Sequence, residues 1–193
     1  DVGSPNVPMT RSRFVRAALT AAALSVLFLV VYSGCNLLTS LRSDVGTIAF
    51  AWERHIPFVP LMIAPYMSID LFFVVAPFLC TSDGERRRLA ARIVMAILVA
   101  GLFFLVFPLQ FAFERPVAAG PLGALFDGFR AMDLPFNLAP SLHIALRTIL
   151  AELYHRHTRG AVRVASHVWF FLIGLSTLLV WQHHVVDVVT GFV

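Results

Sequence analysis

Two histidine motifs near the carboxyl end of an apolar chain have the residue types and spacing for nucleophilic chemistry on an anion. In Gln182-His183-His184-Val-Val-Asp187 an imidazole stands four residues before a carboxylate. On a helix that spacing puts both side chains on one face. Asp187 can then accept the Nδ1 proton of His183, leave the Nε2 lone pair free and stabilise positive charge on the ring. Using His184 as the nucleophile instead would shorten the spacing to three. His183 is therefore preferred, with His184 directed to headgroups or substrate. In Pro140-Ser141-Leu142-His143 a second imidazole follows a serine at an expected helix start. Proline suits the first helical position, and the free N–H groups and positive dipole end of that turn favour an anion. Ser141 can bond an anionic oxygen and His143 can protonate a departing alkoxide. Arg115-Pro116 upstream adds a guanidinium suited to bidentate binding of phosphate. Ionisable groups beside apolar segments are costly, and their presence points to function.

The elements that must position these groups are membrane spans. The chain has 193 residues, of which 59% are hydrophobic and 13% charged, with a mean hydropathy of +0.81. A soluble domain of this size cannot hide that much apolar surface. The formal net charge is +4, and all the basic residues are arginine. They cluster beside apolar runs and form no basic, aromatic-laced face, which argues against a nucleic-acid partner. A span needs about 20 mostly apolar residues. The candidates are 14–38, 58–80, 88–108, 140–157 and 163–182, with a sixth starting near 184 and cut short at Val193. The expected fold is thus all-α, a polytopic bundle of six spans over 9–193, with the natural protein continuing beyond 193. Residues 1–8 read as a tag remnant or disordered lead.

Arginines 11, 13 and 16, then 86, 87, 88 and 92, then 156, 159 and 163 flank alternate connections. By the positive-inside rule those connections and the amino terminus are cytoplasmic. The segments 39–57 and 109–139 and the turn near 182–184 then face outward, and they carry or adjoin the candidate chemistry. Leu41–His55 reads either as a short helix on the membrane surface or as a capping loop. Cys35 and Cys80 fall near opposite faces, so no disulfide is expected between them. His155 and His157 are expected to be solvated on the inner side and His167 to lie at a span end. No histidine grouping has zinc-ligand spacing, so neither metal nor cofactor is expected. Asp70, deep in the second span, reads either as the partner of Arg147 or as hydrogen-bonded only to a neighbouring helix, and Arg147 alternatively as a support of the phosphate site from below.

The triplet Arg115-Pro116, Pro140-Ser141-Leu142-His143 and Ser176…His183-x-x-x-Asp187 resembles the three signature motifs of the type 2 phosphatidic acid phosphatase superfamily. Asp133-Leu-Pro-Phe-Asn137-Leu-Ala-Pro-Ser-Leu-His143 and Gln182-His-His-Val-Val-Asp-Val-Val-Thr-Gly191 resemble its inositol phosphorylceramide synthase-like branch. The resemblance implies a metal-independent membrane enzyme in which His183 attacks phosphorus, Asp187 orients it and His143 protonates the leaving oxygen. Arg115, Ser141, Ser176 and Asn137 would hold phosphate oxygens. Two positions depart from the pattern. Pro108 stands where the first motif has a lysine, and Thr177 where the third has an arginine, leaving Arg130 or Arg147 as substitutes. The expected activity is dephosphorylation of a lipid phosphate or diphosphate at the outer face of a bacterial inner membrane, through a phosphohistidine. The alternatives are headgroup transfer to an alcohol acceptor and a non-catalytic lipid-binding protein with a degenerate site.

Overall fold

The computed structural model describes residues 10–192, so the expected lead at 1–8 and the last residue lie outside it. Among the described residues the regular structure is helical. The helices are α1 (Arg11–Ser40), α2 (Ile63–Leu79), α3 (Asp83–Val106), α4 (Gly120–Met132), α5 (Leu142–His157), α6 (Gly160–Leu179) and α7 (Val185–Thr190). Short 3-10 turns at Ala51–His55 and Pro60–Met62 precede α2. Four helices are long and apolar enough to cross a membrane: Arg11–Ser40, Pro60–Leu79, Asp83–Val106 and Gly160–Leu179.

Two of the six expected spans do not reach that standard. α5 has only 16 residues, and it carries Arg147, Glu152, Arg156 and three histidines. The segment expected to open a sixth span forms the six-residue α7. One helix went unforeseen. Leu122, Phe126 and Phe129 recur at helical spacing in α4, and Phe126 and Phe129 pack on Phe58 and Tyr66. The segment is short and contains Pro121, Gly123 and Gly128, which mask the periodicity.

Local chemistry sets the helix starts. Thr10 accepts from the Arg13 N–H, Ser82 from the Glu85 N–H and Ser141 from the Ile144 N–H, each satisfying an otherwise orphaned donor of a first turn. Ser141 is therefore the cap of α5, and Pro140 lies outside the helix, not in its first turn as the sequence suggested. The helices form a ring in the order α1, α3, α5, α6, α2, closed by α2 on α1 and crossed by α2 on α5. Buried Ile93, Ile97, Phe73, Leu146, Leu150, Phe170 and Ile173 fill the centre. The helices α3 and α1 approach closely at Gly101, whose carbonyl accepts from the Cys35 thiol. Both cysteines are buried and free.

The two ends of the bundle sort as the arginine pattern expects. At one end Arg16 and Arg86 meet Asp83, Arg92 and Arg156 meet Glu152, and His157 meets Glu85 at 2.8 Å. His155 and His167 touch each other there, at 2.8 Å between ring nitrogens. At the other end the connections knit together through the backbone. Gly46 pairs with Leu109, Val59 donates to Leu179, and Phe111 donates to Pro135. Leu41–His55 is thus a docked loop ending in a 3-10 turn.

The last turn of the described chain is held against the start of α5 at contact distance. The Ser141 N–H donates to the Asp187 carbonyl at 3.0 Å. A Cβ on Gly191 would come 2.6 Å from the Ser141 carbonyl oxygen and 2.8 Å from Ile144 Cβ. Backbone and a helix-bound Cβ cannot yield cheaply, so Gly191→Ala is expected to cost about 1–3 kcal/mol. Thermal unfolding in detergent would measure it, and an unchanged midpoint would show that this contact is loose.

Candidate functional site

A cavity of about 520 Å³ opens between α1, α2, α5 and the loop after α4. Its walls include Phe28, Leu29, Met67, Phe73, Phe129 and Leu146, and its polar lining includes Tyr32, Tyr66, Asp70, Asp133, Asn137, His143 and His183. The two imidazoles singled out in the sequence thus border one space.

His183 does not lie on the helix that carries Asp187. The chain leaves α6, passes through Trp181 at φ 56°, and gives the Gln182 and His183 N–H groups to the Thr177 carbonyl at 3.1 Å each. His184 then caps α7, and its N–H donates to Asp187 Oδ2 at 2.7 Å. Asp187 Oδ2 also faces His183 Nδ1 at 3.5 Å, in a pocket where Asp187 is 0% and His183 7% exposed. That separation is long for a hydrogen bond, and His183 Nδ1 and Asp187 Oδ1 have no other partner within the protein. The four-residue spacing therefore works across a helix start: the carboxylate caps α7 and faces the ring at once.

His184 occupies a different position from the one expected. It is 1% exposed, stacked on Phe111 at 4.2 Å and edge-on to Phe113 at 5.1 Å. The Ala112 N–H donates to its Nε2 at 3.0 Å, so Nδ1 carries the ring proton and donates to Glu53 Oε2 at 2.8 Å. Both ring nitrogens are engaged and neither can act as a nucleophile. Glu53 Oε2 also accepts from the Val185 N–H, and Oε1 from the Phe50 N–H. Residue spacing gave no sign of Glu53, which lies 131 positions from its imidazole partner.

His143 stacks on Tyr66, with ring centroids 4.3 Å apart, and its Nε2 is buried without a partner. Tyr66 looks like an ordinary core aromatic in the sequence and was not singled out. Ser141 is fully buried, and its hydroxyl oxygen is engaged as the α5 cap. Ser176 is equally buried and donates to the Ile173 carbonyl at 2.6 Å, away from the cavity lining. Asn137 lines the cavity at φ 57°; its Nδ2 donates to the Tyr32 carbonyl at 2.7 Å, and its Oδ1 is unpartnered.

The cations sort clearly. Arg115 covers the Phe111 ring at 5.3 Å, and its Nε is buried without a partner. Burial pushes its guanidinium below the ordinary value, opposed by the charge of Asp133. Arg130 gives one N–H to the Pro116 carbonyl at 2.9 Å and leaves Nε and Nη2 unpartnered. Burial and the like charge of Arg115 lower it too. Of the two substitutes considered for the absent motif cations, Arg130 therefore stands beside Arg115. Arg147 does not: it donates to the Phe170 carbonyl at 2.7 Å and lies over Phe192. Nor does Arg147 pair with Asp70, because Arg147 faces α6 whereas Asp70 faces the cavity. Asp133 accepts from the Tyr32 hydroxyl at 2.9 Å and from Asn36 Nδ2 at 3.3 Å. Burial raises its carboxyl above the usual range, while Tyr32, Arg115 and His183 act in the opposite direction.

No family model, curated protein or solved structure matches this chain. Chemically, the cavity presents two imidazoles between apolar walls, and Arg115, incompletely paired, lies within charge range of its lining residue Asp133. Unpartnered buried donors of this kind favour an anion.

The Glu53–His184 contact is expected to couple the loop before α2 to the segment that carries His183. Glu53→Ala and His184→Ala should each destabilise by about 2–4 kcal/mol, and the double variant by clearly less than their sum. Denaturation of the four proteins in detergent checks this; additive losses would show that the two residues act independently.

Proposed function

We propose that this protein is an integral membrane lipid phosphatase whose site faces the extracytoplasmic side. The observation that carries the proposal is the shared cavity of His143 and His183, with an apolar wall continuing between α1 and α2; Arg115 lies within charge range of the lining residue Asp133, and Arg130 within that of Arg115. A phosphate satisfies the unpartnered donors and a hydrocarbon tail suits the wall. In this proposal the bundle lies in the membrane with its amino terminus inside. The short α5 acts as a further span shielded by its neighbours, and 185–191 closes the outer end. The setting consistent with this reading is a bacterial inner membrane.

The first step joins His183 Nε2 to phosphorus and breaks the bond from phosphorus to the lipid oxygen. Protonated His143 gives its proton to that oxygen, which leaves as the alcohol. Asp187 holds the Nδ1 proton and stabilises the ring as it becomes positive. Arg115 and Arg130 meet the charge on the equatorial oxygens. In the second step water attacks phosphorus, the P–N bond breaks, and His143 recovers a proton. Ser141 supports the site by holding the α5 start and the Asp187 carbonyl together, and Asn137 by holding the loop to α1.

A specific observation favours a second reading, transfer to an alcohol. Asp133 lines the same cavity and is close enough to His183 for the charge of that ring to act on its carboxyl. A carboxylate so placed can receive the proton of an acceptor hydroxyl in the second step.

Purified protein is expected to release phosphate from one or more of a panel of lipid phosphates, to be inhibited by vanadate and to be indifferent to chelators. His183→Ala should lower kcat by at least about a thousandfold. Arg130→Ala should lower kcat/KM by about ten- to a hundredfold. Full turnover by His183→Ala would remove the nucleophile assignment. Phosphodiester formed only when an alcohol is added would select the transferase.

A further inference from the structure

Beside the imidazoles of His143 and His183, the cavity lining carries three acceptor side chains, Asp70, Asp133 and Asn137. Asn137 Oδ1 is buried and unpartnered. Asp133 uses only Oδ1 in its two hydrogen bonds. Asp70 lines the cavity, is accessible, and has no hydrogen bond or ion pair among the described residues. An acidic side chain in the middle of a membrane-length helix is expensive to maintain without a partner. A phosphate alone leaves these acceptors unmatched, because it offers few protons to give. A polyprenyl phosphate or a fully esterified diacylglycerol phosphate leaves them unmatched too.

The register along α2 says where a matching group must sit. Tyr66 and Asp70 are four residues apart and both line the cavity, so they stand on one face, about 6 Å apart along the axis. Tyr66 stacks on His143 and so marks the level at which the reacting phosphate would lie. With single bonds near 1.5 Å, about 6 Å corresponds to about four to five bonds from phosphorus. A hydroxyl or amide N–H on the second or third carbon beyond the ester oxygen falls within that range.

We propose that Asp70 selects lipid phosphates carrying a hydrogen-bond donor, hydroxyl or amide N–H, four to five bonds from phosphorus. This rests on the lipid phosphate reading of the same cavity. Asp70 accepts the donor's hydrogen bond, and the tail runs on past Leu29, Phe73 and Leu146. Asp70 is a specificity residue and takes no part in the transfer itself.

The test compares two non-cleavable phosphonates that differ in one group. One is the analogue of 1-acyl-2-hydroxyglycerol 3-phosphate, with a free hydroxyl four bonds from phosphorus; the other is its 2-O-methyl ether. Binding is measured by calorimetry on the protein in detergent. The hydroxyl compound is expected to bind about tenfold tighter to the native protein. Asp70→Leu should abolish the difference while leaving the ether's affinity within about twofold. Asp70→Asn, which keeps an acceptor oxygen, should retain part of the preference and guards against a folding artefact. Equal binding of the two compounds by the native protein, an undiminished preference in Asp70→Leu, or no binding of either compound overturns the proposal. Phosphate release from the matching esters separates this from the reading beneath it. Preference without turnover upholds the donor subsite and removes the phosphatase; turnover without preference does the reverse.

Discussion

The site depends on a buried contact between segments far apart in the chain. Glu53 reaches from the loop before α2 to the His184 ring and the Val185 N–H, while the Asp187 carbonyl receives the Ser141 N–H. These bonds anchor the segment 182–187 from two sides. His183 lies between the anchors and faces the cavity that His143 also lines. A carboxylate that is 3% exposed is tolerable because both oxygens are engaged, and removing any donor leaves a buried charge incompletely matched. The adjacent histidines therefore divide their work. His184 is fixed by two bonds and two aromatic rings, and this leaves the neighbouring ring able to face a ligand.

The same economy of polar groups shapes the rest of this end of the bundle. The Thr177 carbonyl receives two successive N–H groups and sets the turn into His183. Asn137 and Asp133 tie the loop before α5 to Tyr32 and Asn36 of α1. Polar side chains in this region mostly hold one loop to another. Among the residues that keep a side-chain atom without a partner, Asn137, His143 and His183 line the cavity, whereas Asn36, Thr39, Arg115, Arg130, Gln182 and Asp187 lie outside its lining. Native interiors rarely leave such groups orphaned, and those that line an apolar-walled cavity are the physical mark of a ligand site.

The end that gathers Arg16, Arg86, Arg92 and Arg156 matches them with Asp83 and Glu152, in pairs that are mostly exposed or half-exposed. Such pairs contribute little to stability individually, but they let arginine-rich connections sit side by side. The opposite end is sealed by backbone pairing and aromatic packing, from Gly46–Leu109 to Phe111–His184.

By itself the sequence determined the helical class and the sorting of the connections to two ends, but it counted six spans where four helices are long and apolar enough to cross a membrane. Apolar run length and arginine placement are local quantities, so they can be read without a fold. It also marked His143, His183, Asp187 and Arg115 as candidates, because their types and short spacings are unusual in apolar surroundings. Only the tertiary structure decided that α7 begins after His183 and that 120–132 forms a helix packed on Phe58 and Tyr66. It decided, too, that His184 is structural, that Arg130 and not Arg147 stands beside Arg115, and that Asp70 faces the cavity without a cation. Each of these rests on a contact between segments tens of residues apart, and pairing over such distances leaves no period or motif in a single chain.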